Sequence, residues 1–94
     1  MMKICVIGAG LAGCECAYYL AQKAGVKVTL FEMRPEKMTP AHRTGYFSEL
    51  VCSNSFGSKT LDTAQGCLKE EMKILGSLVL ETARSFEIPA GKAL

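Results

Sequence analysis

The stretch CVIGAGLAGCECAYYL, Cys5–Leu20, places three glycines within six residues and follows them directly with a helix-forming run. Gly8, Gly10 and Gly13 have the spacing G-x-G-x-x-G. The residues just before them, Lys3–Ile7, form a short β-branched run that is typical of a strand buried on both faces. The pattern therefore predicts a strand, a tight turn and a helix in direct succession.

The glycine turn leads through the predicted helix to a second predicted strand. Small and apolar residues recur at helical spacing from Ala9 to Lys23, and Gly25 supplies a stop. The next residues, Val26–Glu32, alternate in polarity and are rich in β-branched and aromatic side chains, as in a strand. Together these elements predict one βαβ unit with parallel strands and a right-handed crossover. The fold class is therefore α/β, with a Rossmann-like nucleotide-binding unit.

The second half of the chain has a different pattern. Residues Met33–Thr60 contain two prolines and two glycines, which predicts a long connection with one helical turn inside it. From Leu61 to Phe86 apolar residues recur at spacings of three and four, which predicts a second amphipathic helix, weakened by Gly66 and Gly76. Two strands leave a parallel sheet incomplete. Residues 1–94 are therefore expected to be the amino-terminal part of a larger domain.

Composition and cysteine usage exclude several classes of protein. Hydrophobic residues make up 49% and charged residues 21%, as in globular proteins. No apolar run reaches the roughly eighteen residues of a membrane span, and the start does not match a signal peptide. The net charge of +2 indicates no particular partner. Five cysteines occur without any C-x-x-C, so we expect no zinc site and reduced thiols in the cytoplasm.

Each glycine of the motif has a distinct expected role. Gly8 permits the turn off the strand, Gly10 leaves room for a pyrophosphate near the backbone, and Gly13 lets the helix press against the strand. The phosphates would bind at the helix amino terminus, where backbone N–H groups and the helix dipole favour negative charge. The candidate cofactor contacts are Gly8, Ala9, Gly10, Leu11, Ala12 and Gly13.

Two charged residues follow at the end of the second predicted strand. Glu32 lies nineteen residues after Gly13. A carboxylate there can accept both hydroxyls of an adenosine ribose and disfavours a 2′-phosphate, which predicts FAD or NAD rather than NADP. The alternative is a glycine-rich turn followed by a solvated acid. Arg34 is expected either along the adenosine or pyrophosphate of the cofactor, or in solvent.

The string EMRPEKMTPAHRTGYFSELVCSNS, Glu32–Ser55, resembles the folate- and FAD-dependent tRNA uracil-5-methyltransferase family. The strings LKEEMKILGSLVLETA and IPAGKAL continue the likeness, which covers essentially all 94 residues. The glycine stretch is also similar to the related tRNA wobble-uridine modification flavoprotein, which is expected to lack the longer string.

The resemblance implies an enzyme that binds FAD and takes reducing equivalents from NADH or NADPH. Methylenetetrahydrofolate would supply a one-carbon unit for C5 of the T-loop uridine of tRNA, which gives 5-methyluridine. The three motif glycines and Glu32 would hold the FAD. We expect residues 1–94 to be inactive alone, because they contain no visible folate site and no basic tRNA-binding face. The full-length enzyme would be cytoplasmic, with no membrane contact and no oligomeric state indicated.

Cys52 is the candidate catalytic residue. The resemblance implies a cysteine near the flavin, and activation of C5 of a uracil requires a nucleophile at C6, for which a thiolate is suited. The alternative is a small buried apolar residue. His42 and Arg43 either approach flavin or substrate or lie in a solvated loop.

Two other functions remain open from the sequence. One is another flavin enzyme with the same binding unit, either a general FAD-dependent oxidoreductase or the wobble-uridine flavoprotein. The other is a nucleotide-binding fragment that catalyses nothing.

Overall fold

The computed structural model describes residues 1–51, 55–87 and 94. The chain divides into two compact units, Met1–Cys52 (unit 1) and Ser53–Leu94 (unit 2). The described elements are, in chain order, β1 (Met2–Ile7), α1 (Leu11–Ala21), β2 (Val26–Phe31), α2 (Ala64–Ile74) and α3 (Leu78–Ser85).

Unit 1 is the βαβ unit predicted from the sequence. Strands β1 and β2 pair in parallel, from Met2 opposite Val26 to Ile7 opposite Phe31. Helix α1 connects them and contacts both strands. The two strands form a two-stranded sheet among the described residues. The α/β class with a Rossmann-like unit is therefore confirmed.

Only one face of this sheet is covered within the described residues. Burial alternates along both strands, and Ile7 at the end of β1 is 86% exposed. Within the described residues β1 is therefore buried on one face, whereas the sequence predicts burial on both. The physical reason is that α1 packs on one face of the sheet, so every second side chain points away from it.

Helix α1 is shorter than the predicted segment from Ala9 to Lys23. It begins at Leu11, where Gly10 is the N-cap, and ends at Ala21. The chain turns back at Gly25, which has φ +74°, a conformation that glycine adopts without strain. The carbonyl of Gly25 accepts a hydrogen bond from the N–H of Met2 at 2.8 Å, which ties this turn to the start of β1.

The single amphipathic helix predicted for the second half is two helices. Gly76 has φ +82° and ends α2, with its N–H donating to the Lys73 carbonyl and the Ser77 N–H donating to the Met72 carbonyl, both at 3.0 Å. This pair of bonds is a Schellman cap. The Ser77 hydroxyl then accepts from the Leu80 N–H at 3.1 Å and caps α3.

Gly66 has a packing role in unit 2 that its helix propensity does not suggest. A Cβ on Gly66 would lie 1.8 Å from the carbonyl oxygen of Thr60. Alanine favours a helix by about 1 kcal/mol over glycine, but overpacking costs about 1–3 kcal/mol. We therefore expect Gly66→Ala to lower the free energy of unfolding of unit 2, measured by urea denaturation with circular dichroism. Gln65→Ala, at an exposed neighbour, is the control. A stabilised Gly66→Ala protein would contradict this packing.

The long connection after β2 contains the one helical turn that the sequence predicts. The N–H of Lys37 donates to the carbonyl of Met33 at 2.9 Å and closes that turn. The connection then returns to the glycine turn, where the Ser48 N–H donates to the Ala9 carbonyl at 2.8 Å.

No helix within residues 1–51 and 55–87 combines the length and apolar character needed to cross a membrane.

Candidate functional site

The glycine turn between β1 and α1 has the geometry that its spacing predicts. Gly8 has φ +100°, and its N–H donates to the carbonyl of Phe31 at 2.7 Å, which joins the turn to the end of β2. A Cβ on Gly13 would lie 1.7 Å from the Gly8 carbonyl oxygen, so only glycine allows α1 to approach this closely. The expected roles of Gly8 and Gly13 in the turn and the packing are confirmed.

Gly10 faces open space at the start of α1. A Cβ built on this residue meets no atom within 4 Å, and no side chain caps the helix there. Because the first N–H groups of an α-helix lack an acceptor within the helix, those of Leu11, Ala12 and Gly13 are suited to an anion. Their contact with a cofactor stays a prediction.

Ala9 is fully buried, and protein atoms engage both of its backbone polar groups. Its N–H donates to Oε1 of Glu32 at 2.7 Å. Its carbonyl accepts from the Ser48 N–H and from the Cys14 thiol, the latter at 3.3 Å. In this arrangement the Ala9 N–H orients Glu32, and a direct cofactor contact of Ala9 stays a prediction.

Glu32 lies immediately after β2 with a side chain that is only 9% exposed. Its Oε1 accepts from Ala9, and its Oε2 accepts from the N–H and the Nε of Arg34 at 2.9 and 2.8 Å. The alternative of a solvated acid is therefore wrong. Since each carboxylate oxygen accepts about two hydrogen bonds, Oε1 retains one acceptor position.

Arg34 is buried, with a side chain that is 2% exposed. Besides Glu32, its Nη1 donates to the Thr44 carbonyl at 3.0 Å and approaches Oε1 of Glu49 at 3.5 Å. The solvated alternative for Arg34 is therefore wrong, and its contact with adenosine or pyrophosphate stays a prediction.

Glu49 is a residue of this site that the sequence analysis missed. Its Oε2 accepts from the Arg43 N–H at 2.9 Å, and its Oε1 accepts from the N–H of Thr44 at 2.9 Å and from the Thr44 hydroxyl. The only signal in the sequence was that the long connection after β2 contains both this acidic residue and a basic residue, Arg34, that could pair with it.

Glu32 and Arg34 border a cleft of about 580 Å³ at the carboxyl ends of the two strands. That volume falls within the usual range of about 300–1,000 Å³ for small-molecule sites. Its lining combines the glycine turn and Glu32 with the apolar side chains of Ile7, Phe31 and Met33. The carboxyl ends of parallel strands are also where α/β sheets bind their ligands.

His42 lines this cleft, whereas Arg43 is exposed. Nδ1 of His42 lies 2.6 Å from the hydroxyl of Thr39, which also lines the cleft and accepts from the His42 N–H at 3.2 Å. These two bonds fix the imidazole at the edge of the cleft. Of the two basic residues of this segment, only His42 lines the cleft.

Hydrogen bonds lower the pKa of the carboxyl groups of Glu32 and Glu49. The Arg34 side chain, followed by the Ala9 N–H, lowers the pKa of Glu32 from 4.5 to about 2. The Thr44 hydroxyl, followed by the Arg43 N–H, lowers the pKa of Glu49 from 4.5 to about 2. Both groups are therefore ionised at neutral pH.

The lowered pKa values make the site sensitive to acid. Because both folded-state pKa values lie below the ordinary value, their stabilising contribution is complete above pH 4.5 and is lost as the pH falls towards 2. We expect the amide protons of Ala9 and Arg43, which bind the two carboxylates, to titrate with midpoints near 2 in NMR spectra of the chain. Midpoints near 4.5 would show that these hydrogen bonds do not form.

Cys52 lies outside the described residues, and its catalytic role stays a prediction. The four other cysteines are free thiols. Among the described residues, no group of three or more His, Cys, Asp or Glu side chains is arranged to hold a metal ion.

Comparison with curated proteins shows which proteins this chain is similar to. The chain is 63% identical over 92 residues to "Methylenetetrahydrofolate--tRNA-(uracil-5-)-methyltransferase TrmFO" of Sulfurihydrogenibium sp. (strain YO3AOP1), and covers 21% of that protein with 98% of its own length. Proteins of the same name from Thermotoga neapolitana and Persephonella marina are 61% and 60% identical over 93 and 94 residues. Those alignments cover 99% and 100% of the chain and 21% of each relative.

The chain thus spans about a fifth of the length of the curated relatives that it matches. The resemblance to the methyltransferase family that was noted from the sequence is confirmed by these identities. A family model described as "Glucose inhibited division protein A" matches residues 3–94. The chain therefore belongs to the glucose inhibited division protein A family.

Proposed function

We propose that the cleft at the ends of β1 and β2 binds the ADP half of FAD. The observation that carries the proposal is the pairing of an uncapped, open helix start at Gly10 with an ionised carboxylate at Glu32 in one cleft. The N–H groups of Leu11, Ala12 and Gly13 would face the pyrophosphate, and Oε1 of Glu32 would accept a ribose hydroxyl. NAD has the same ADP half, so the flavin itself requires a direct test.

We further infer that residues 1–94 are the amino-terminal part of a tRNA (uracil-5-)-methyltransferase. The support is the 58–63% identity to relatives that carry this name. The substrate would be the T-loop uridine of tRNA, methylenetetrahydrofolate would supply the carbon, and NADH or NADPH the reducing equivalents. When bound, FAD would supply the redox chemistry of the transfer. The enzyme would act in the cytoplasm.

Within this proposal, the described residues bind and orient the cofactor. The glycine turn and the first turn of α1 hold the phosphates, and Glu32 holds the ribose. The apolar side chains of Ile7, Phe31 and Met33 also line the cleft. Cys52 would act as the thiolate nucleophile near the flavin.

A second candidate function is another flavin-dependent modification of tRNA, as in the wobble-uridine flavoprotein. Its support is the similarity of the glycine stretch, Gly8–Gly13, to that flavoprotein. The same ADP site would serve both enzymes. The two candidates differ in the uridine that is modified and in the carbon donor.

The test requires a full-length protein that carries this segment. Residues 1–94 replace the aligned segment of the Sulfurihydrogenibium relative, and we call the product the chimera. We expect the purified chimera to be yellow and to transfer labelled carbon from methylenetetrahydrofolate to a T-loop uridine. A colourless chimera that binds no added FAD would refute both candidates. The 94-residue chain alone is expected to transfer no carbon.

A further inference from the structure

A chain of polar contacts connects the carboxylate in the cleft to a residue outside it. The N–H of Ala9 binds Glu32, Glu32 binds Arg34, and Arg34 binds the carbonyl of Thr44 and approaches Glu49. We call these five residues the Glu49 network. Glu49 does not line the cleft, whereas Glu32 and Arg34 do.

We propose that Glu49 is a positioning residue for ribose recognition, because it holds Arg34 in the place from which Arg34 orients Glu32. This inference rests on the proposed function, since it concerns the ribose of a nucleotide in the same cleft. It adds to that function a residue that touches neither the nucleotide nor the glycine turn.

The distances show through which contact Glu49 holds Arg34 in place. The direct approach of Arg34 Nη1 to Glu49 is 3.5 Å, which is long for a hydrogen bond, whereas its bond to the Thr44 carbonyl is 3.0 Å. Glu49 in turn binds Thr44 through both its N–H and its hydroxyl. Glu49 therefore acts on Arg34 mainly by fixing the Thr44 carbonyl, and adds its negative charge beside the buried guanidinium.

The charge matters because Arg34 is nearly inaccessible to solvent. A buried guanidinium requires acceptors for its donors and opposite charge nearby. Glu32 supplies one carboxylate, through Nε, and Glu49 supplies the other, beside Nη1. Without Glu49, Thr44 loses its anchor, and Arg34 is free to turn towards solvent or to bind Glu32 in another geometry.

The orientation of Glu32 decides which of its oxygens faces a ribose. Arg34 occupies Oε2 with two hydrogen bonds, and the Ala9 N–H occupies one position of Oε1. The remaining acceptor position is on Oε1. In this geometry Glu32 accepts one ribose hydroxyl rather than the two expected from the sequence. A shift of Arg34 would release Oε2 and move Oε1 away from that hydroxyl.

The test measures recognition of the ribose separately from binding of the phosphates. Chimera freed of flavin is titrated calorimetrically with ADP and with 2′,3′-dideoxy-ADP. We expect unmodified chimera to bind ADP about 10-fold more tightly than the dideoxy analogue, as for one hydrogen bond to a charged group. Glu49→Gln should reduce this preference to about 2-fold by weakening ADP alone. The matched control is Glu36→Gln, at an exposed acid in the same unit, which should keep the full preference.

The two affinities distinguish positioning from general damage to the fold. Equal weakening of both ligands by Glu49→Gln, or an unchanged preference, would overturn the role of Glu49 while nucleotide binding stands. Failure of the unmodified chimera to bind ADP would overturn the proposed function itself, and the inference with it. If Glu49→Gln does not fold, Arg34→Lys serves instead, because lysine lacks the planar fork that binds Glu32 and Thr44 together. It should lose the ribose preference, whereas Arg43→Lys should retain it.

Discussion

Replacement of Gly13 by alanine is expected to destabilise unit 1, whereas the same replacement at Gly10 is expected to keep the fold and weaken cofactor binding. At Gly13 the added Cβ would lie 1.7 Å from the Gly8 carbonyl oxygen and 2.9 Å from its carbon. Both obstacles are backbone atoms of the turn, so no side-chain rotation relieves the overlap. The helix must therefore move away from the strand. We expect this movement to cost at least the upper end of the roughly 1–3 kcal/mol that overpacking costs.

Gly10 offers the contrasting case. Its φ of −77° and ψ of −166° are accessible to alanine, and a Cβ there meets nothing within 4 Å. The space that the Cβ would enter belongs to the cleft, which Gly10 lines. If the phosphates bind as proposed, a methyl group at this point would meet the pyrophosphate. We expect FAD affinity of the Gly10→Ala chimera to fall roughly 100-fold.

The two variants form a matched pair, because the chemical change is identical and the positions are three residues apart. Thermal unfolding of the 94-residue chain, followed by circular dichroism, should show a lower melting temperature for Gly13→Ala and little change for Gly10→Ala. Flavin titration of the chimera should show a loss for Gly10→Ala. Equal stability of both variants would refute the close contact of α1 with the turn. Full FAD affinity in Gly10→Ala would refute the placement of the phosphates.

Unit 1 could be predicted from the sequence because its determinants are local. The spacing of Gly8, Gly10 and Gly13 and the change from a period of two to a helical period both lie within a few residues. The break between α2 and α3 was missed for the opposite reason. Apolar residues keep their spacing of three and four across it, so the period alone shows one helix. Gly76 followed by Ser77 was the available signal, since glycine ends helices and serine begins them.

The Glu49 network could not be predicted, because its contacts join distant residues of an irregular connection. Arg34 and Glu49 are 15 residues apart, and Ala9 and Glu32 are 23 apart. A period or a spacing rule describes regular elements and carries no information on such pairs. The sequence predicted Glu32 as a ribose acceptor from its place after β2. It did not show that protein donors already occupy three of its hydrogen-bonding positions.

Loss of the Glu32 carboxylate is expected to have the largest effect on cofactor binding of any side-chain change in the cleft. Glu32→Ala removes the proposed ribose acceptor and leaves the Ala9 N–H and the Arg34 guanidinium without their partner. Leaving buried hydrogen-bond donors without acceptors costs free energy. We therefore expect the glycine turn, which includes Ala9, to change its conformation as well. We expect FAD affinity of the chimera to fall by more than about 100-fold, compared with about 10-fold for one lost hydrogen bond to a charged group.

Glu32→Gln tests whether the three protein donors matter, because it preserves the size of the side chain. If the amide oxygen takes the place of Oε2, Arg34 keeps its bonds but the amide NH₂ meets the Ala9 N–H. If the oxygen takes the place of Oε1, the NH₂ meets the two donors of Arg34. Either orientation opposes donor to donor, so Glu32→Gln should resemble Glu32→Ala rather than the unmodified chimera. Glu36→Gln, the same change at an exposed position, should leave flavin binding intact. A Glu32→Gln chimera that retains its yellow colour would mean that Glu32 only fills space beside the turn.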